Sequence, residues 1–210
     1  MAFAVLFNAG LYPVTIFGGK PFFPGPGESP DVIAAFFQAR SSAALLCAFF
    51  QFGSAVPLGI FTATAASQLR FLGVRAAGTN IALFGGFATA FTMMVSSSVL
   101  WTMSCPGIAQ NGSLIQALYR LMFALGGPGF SVPLGLLVAG ISVTAGFAKL
   151  LPKWIILSGL AIAVVGELSW LEIMFPKLLL LIPLTRFPGF LWLIAVGFSL
   201  PSTIETRRAS

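Results

Sequence analysis

Residues 79–103 read TNIALFGGFATAFTMMVSSSVLWTM, a run without a single charged side chain. As an α-helix rising 1.5 Å per residue it is about 37 Å long, enough to cross the ~30 Å hydrocarbon core of a bilayer. The run shows no alternation of polar and apolar residues with period 2, so it does not read as a strand of a membrane barrel. Arg75 precedes it, and SCPGIAQNG (104–112) closes it with Pro, Asn and Gly.

Comparable apolar runs, each roughly 18 to 25 residues, recur on both sides. Over the 210 residues 58% are apolar and 8% charged, whereas a soluble domain carries about a quarter of its residues charged. The expectation is an all-α integral membrane bundle of about six transmembrane helices, a single domain over 1–200. Its spans fall at about 2–18, 31–67, 79–103, 113–150, 154–175 and 177–200, with a polar tail at 201–210. The first run lacks the basic start and small-x-small site of a cleaved signal peptide and reads as a short span. GKPFFPGPGESP (19–30) breaks the chain after it, because its prolines and glycines cannot satisfy their backbone in lipid. Asp31 opens the second helix against its dipole. Gly126-Gly127-Pro128-Gly129 and Pro133 kink or break the fourth, and Pro183 and Pro188 lie in the sixth.

The net charge of +6 is distributed as a topology signal, not as a nucleic-acid surface. One side carries Arg70, Arg75, Lys149, Lys153, Arg207 and Arg208, the other only Lys20 and Lys177. The positive-inside rule then puts both termini in the cytoplasm of a cell whose cytoplasmic membrane holds the protein, with the Gly/Pro-rich and SCPGIAQNG loops outside. With no histidine in the chain, metal, haem and Ser-His chemistry are disfavoured, and no metal or cofactor is expected. Cys47 and Cys105 fall at different depths and read as unpaired small apolar residues. The Asn111-Gly112-Ser113 sequon abuts a helix and reads as a chance match. A faint internal repeat pairs Val56-Pro57-Leu58-Gly59 with Val132-Pro133-Leu134-Gly135.

Four ionisable residues fall within spans: Arg40, Arg120, Glu167 and Arg186. A charge near the middle of a span costs ~2.5 to 3.5 kcal/mol on insertion scales, so the four are expected to converge or to reach water. Counted from the helix ends they share one layer of the outer leaflet. Stripes of small and polar residues accompany them, Arg40-Ala44-Cys47-Gln51-Ser54 and Gln116-Arg120-Ala124-Gly127-Ser131. In one reading Glu167 pairs with an arginine and the other arginines snorkel. In the other, three guanidinium groups against one carboxylate bind a small anion or a lipid head group, with Gln51 and Gln116 assisting. Glu172, Trp101, Trp170 and Trp192 read as interfacial or packing residues.

The short first span ending in a Pro/Gly loop, the Asp31-initiated helix with Phe36-Phe37-Gln38-Ala39-Arg40, and the outer-leaflet arginines together resemble small multi-spanning bacterial membrane proteins of unknown function. The resemblance implies an architecture and no activity. Binding or transport of an anionic small molecule or lipid is the leading functional expectation. The alternatives are an accessory or structural subunit, dimeric or joined to a partner membrane protein, and a lipid-handling enzyme, which lacks a recognisable catalytic constellation.

Overall fold

The computed structural model describes residues 1–201, the side chain of Ile16 excepted; the rest of the expected tail, with Arg207 and Arg208, lies outside the described residues. The described chain is helical without strands. Its α-helices are α1 (Ala2–Leu11), α2 (Pro30–Phe71), α3 (Ala77–Ser104), α4 (Gly112–Gly126), α5 (Pro128–Phe147), α6 (Lys153–Leu168) and α7 (Leu181–Ser199). Turns of 3-10 helix follow α1, precede α4 and join α6 to α7 at Ser169–Ile173 and Pro176–Leu180.

With α4 and α5 taken as one broken helix, five segments are long and apolar enough to cross a membrane. The sixth, α1, has 10 residues and reaches about 15 Å, half the hydrocarbon thickness. The expected span at 2–18 is therefore a short apolar helix followed by 3-10 turns at Tyr12–Val14 and Ile16–Gly18. The exposed side chains are those that lipid tolerates and water does not: Phe49, Phe84, Phe91, Leu157, Leu191 and Phe198 are all largely uncovered. Small and hydroxyl-bearing residues such as Ser54, Thr89, Ser131 and Thr144 are buried. Helices in lipid associate through this inverted pattern, since apolar surface gains nothing by leaving an apolar solvent.

Local chemistry sets the helix ends. The Ser29 hydroxyl accepts from the Val32 amide at 3.5 Å, and Asp31 lies in the first turn of α2, where negative charge meets the positive helix end. Asn111 caps α4, its Oδ1 accepting from the Leu114 amide at 3.0 Å. That cap gives the sequon asparagine a structural task. Between α4 and α5, Gly127 leaves helical geometry at φ −88° and ψ −102°, where Pro128 disfavours the helical conformation of the residue before it.

The chain forms two compact units, Met1–Pro57 with Phe91–Gly127, and Leu58–Ala90 with Pro128–Ser210. The boundaries fall inside α2 and α3 and at the α4–α5 break. The core of the first unit gathers Ile33, Phe36, Phe37, Leu100, Ile115 and Tyr119. In the second unit α5 is the central element, with α6 and α7 packed on it and most of its own residues buried.

Candidate functional site

In the first unit the Phe36-Phe37-Gln38-Ala39-Arg40 motif pins the Gly/Pro-rich loop and the turn before α4. Phe36 and Phe37 meet edge to face at 5.3 Å between ring centroids, and Phe23 of the loop stands edge-on to Phe36 at 5.2 Å. The Tyr119 hydroxyl donates to the Pro24 carbonyl, and Gln38 Nε2 donates to the Ala109 carbonyl at 3.0 Å.

Arg40 occupies the kink of α2, at φ −131° and ψ 29°. Its Nη1 donates to the Gly19 carbonyl at 2.7 Å and the Lys20 carbonyl at 3.3 Å. Its Nη2 donates to the Pro13 and Gly18 carbonyls, both at 2.7 Å. All four terminal N–H groups are thus engaged by the backbone, which is how a guanidinium within an apolar helix is satisfied without a carboxylate. A Cβ on Gly18 would sit 2.0 Å from the Pro13 carbonyl oxygen, so only glycine lets the loop close on this cation.

The expected polar stripes divide. Ala44, Cys47 and Ser54 are buried, and Gln51 is half-buried beside Gly10. On α4 the buried face is Ile115, Tyr119 and Met122, which turns Arg120 outward. Arg120 and Ala124 are exposed and Gln116 is half-buried. Three apolar residues at helical spacing, with the Tyr119 hydroxyl bond, outweigh the stripe through Arg120 that the sequence suggests. The first unit also has a cavity of about 530 Å³ lined by Leu6, Leu45, Phe49, Phe52, Trp101 and the buried Ser97. This wall offers apolar surface and almost no hydrogen bonding.

The second unit holds the other two expected site residues. Along α6 the buried residues Ile155, Gly159, Ala163 and Gly166 form a seam. Beyond Leu168 the helix tightens to 3-10 geometry, and Ser169 and Glu172 are its buried residues. With three residues per turn, positions 166, 169 and 172 stay on one face, whereas continued α-helix would have swung 172 about 120° away. Glu172 is accordingly 8% exposed, covered by the protein itself. Nothing in its spacing gave this away, because the signal is the change of helical period itself.

Across the seam lies α5. A Cβ on Gly135 would be 3.1 Å from Glu167 Oε1 and 3.1 Å from the Ala163 carbonyl oxygen. A Cβ on Gly166 would be 2.9 Å from the Ser131 carbonyl oxygen and 3.0 Å from Thr185 Cγ2 of α7. Backbone meets backbone here, and the two glycines bring Glu167 to within one helical turn of Ser131. Arg186, the neighbour of Thr185, places its guanidinium 4.7 Å from the Phe130 ring centroid, a cation-π distance. Two buried polar atoms of this seam, Glu167 Oε1 and Ser131 Oγ, have no hydrogen-bond partner among the described residues.

Cys47 is buried and Cys105 is half-buried. Trp192 is buried and donates from Nε1 to the Ile155 carbonyl at 2.7 Å, while Trp101 and Trp170 are exposed. The two halves of the sequence repeat sit differently: Gly135 is pressed against α6, but a Cβ on Gly59 would meet only the Phe87 ring, at an ordinary 3.9 Å. Among the described residues no group of three or more His, Cys, Asp or Glu could hold a metal ion. No protein-family model, curated protein or solved structure matches the chain.

Proposed function

We propose that the chain is a cation-binding membrane protein of the carrier type, with Glu167 as the binding carboxylate in the second unit. The observation that carries this reading is the pair Glu167 Oε1 and Ser131 Oγ, buried on adjacent helices with no hydrogen-bond partner among the described residues. Polar atoms so placed are uncommon and call for a bound water, ion or solute. The same unit buries Glu172 in the 3-10 turns that follow α6 and sets the Arg186 guanidinium over the Phe130 ring. A carboxylate held within lipid needs a positive charge, a proton or a small cation, to be neutral.

The anion pocket expected from three arginines and one glutamate would need Arg40 and Arg120 as donors. Arg40 holds four carbonyls and Arg120 is exposed. Of the expected cluster, Glu167 and Arg186 are what the second unit holds. The protein acts from a cytoplasmic membrane, with the basic α2–α3 and α5–α6 turns on the inner side.

The test is ion flux into vesicles containing the purified protein and a trapped pH-sensitive dye, driven by an imposed membrane potential, with a sodium-sensitive dye in a parallel arm. Wild-type vesicles should take up protons or sodium several times faster than protein-free ones. Glu167→Gln, nearly isosteric and with unchanged thermal unfolding, should return the rate to the protein-free level. A wild-type protein that adds nothing in either arm would overturn the proposal, as would a folded Glu167→Gln variant that retains the full rate.

A further inference from the structure

The turn joining α2 to α3 has features that its topological role does not use. Gly73 takes φ +83°, its amide donates to the Arg70 carbonyl at 3.0 Å, and the Val74 amide donates to the Leu69 carbonyl at 3.0 Å. This pair of hydrogen bonds around a left-handed glycine is a Schellman ending, and Val74 and Leu69, the positions of its apolar clasp, are both buried. The last carbonyls of α2 are thereby satisfied within the chain, and the turn is held rigid.

What remains facing outward is positive. A cavity of about 540 Å³ in the second unit is lined by Arg70, Arg75, Ala76, Ala77, Thr79 and Asn80, with no carboxylate in its wall. Arg70 is oriented across the turn, its Nη2 donating to Asn80 Oδ1 at 2.7 Å. The wall includes the start of α3, a 28-residue helix whose preceding residue, Ala76, has no side-chain oxygen to cap it. The Thr79 amide is taken by the Ala76 carbonyl at 3.1 Å, and the positive end of the helix dipole lies at the cavity wall. Thr79 is 2% exposed, and its hydroxyl has no hydrogen-bond partner among the described residues. Two guanidinium groups, a helix start and an unpartnered hydroxyl on one cavity wall are the donors that a tetrahedral oxyanion accepts from.

We infer that this cavity binds a phosphate group on the basic side of the membrane, either the head group of an anionic phospholipid or soluble inorganic phosphate. A cation cluster beside a helix end at the inner leaflet attracts anionic head groups. The inference concerns a site separate from Glu167 and stands or falls independently of it.

The experiment uses the full-length protein in mild detergent. Native mass spectrometry would score retention of phosphatidylglycerol against phosphatidylcholine, and thermal unfolding would be followed with inorganic phosphate against chloride at equal ionic strength. The variants are Arg75→Gln alone, Arg70→Gln with Arg75→Gln, and Lys149→Gln with Lys153→Gln as a charge-matched control on another turn. The double arginine variant should lose about tenfold or more in affinity for phosphate-bearing ligand, Arg75→Gln about threefold or more, and the lysine pair less than about twofold. Loss confined to the lipid arm identifies the head group as ligand, and loss of phosphate-induced stabilisation identifies the soluble ion. A wild-type protein with no preference in either arm overturns the inference. So does a lysine pair that loses as much as the arginine pair, since binding would then follow diffuse charge and not this cavity.

Discussion

The two units handle buried charge in opposite ways. In the first, Arg40 sits at a helix kink and is answered by four backbone carbonyls from the segment that loops over it. In the second, Glu167 and Glu172 lie on a glycine- and serine-lined seam where Glu167 Oε1 and Ser131 Oγ find no hydrogen-bond partner among the described residues. A cation whose terminal N–H groups are all engaged by its own chain is a fastener. A buried carboxyl and a buried hydroxyl left unsatisfied on neighbouring helices are what the proposed cation site is built from. The difference follows from chemistry: carbonyls are plentiful in any loop, so a buried guanidinium can be satisfied locally, whereas a buried carboxylate needs donors that helical amides, already bonded, cannot give.

If the comparison holds, variants of the first unit cost stability and spare ion binding, while those of the second do the reverse. The largest stability effect is expected at the fastener. Arg40→Gln leaves carbonyls without donors and should destabilise the protein by about 3 kcal/mol, read by denaturant unfolding. Gly18→Ala, which forces a methyl into the Pro13 carbonyl, should cost a similar amount, about 1 to 3 kcal/mol. An Arg40→Gln protein of wild-type stability would erase the distinction between the units.

Next in size is Glu172→Gln, expected to slow ion uptake about tenfold through loss of the seam's second carboxyl while moving stability by less than about 1 kcal/mol. A large loss of stability with unchanged uptake would make Glu172 a packing residue. Tyr119→Phe removes the hydroxyl bond to Pro24 and should cost about 1 kcal/mol, near the upper end for polar contacts in membrane proteins. Smallest of all is Arg120→Gln, whose exposed side chain should contribute under about 0.5 kcal/mol and nothing to ion uptake. If that substitution abolished ligand binding, the first unit would have to be read as part of the binding machinery.

Much of the fold is legible in the chain because hydrocarbon is a strict solvent. The uncharged run at 79–103 becomes Ala77–Ser104, and the break expected at Gly126–Gly129 falls between α4 and α5. The first span is the weakest reading: its apolar length through Gly18 includes turns of 3-10 helix, and composition does not separate a ten-residue helix from a full span. The site is less legible. Arg40, Glu167 and Arg186 stand out as charges within spans, but the partners of Arg40 come from a loop 20 to 27 residues away in sequence. Arg120 points outward because Tyr119 points inward, a choice made by the aromatic packing around Phe23 and Phe37.

The sequence by itself determined that this chain is an all-α protein with helices long and apolar enough for a bilayer, because that depends on local composition and the energetics of transfer into lipid. Only the tertiary structure decided which charges are spent and which are available. Burial of Glu172 depends on a change from 3.6 to 3.0 residues per turn. The approach of Glu167 to Ser131 depends on two glycines, Gly135 and Gly166, that let separate helices meet backbone to backbone. Those are properties of packing, and no window of sequence contains them.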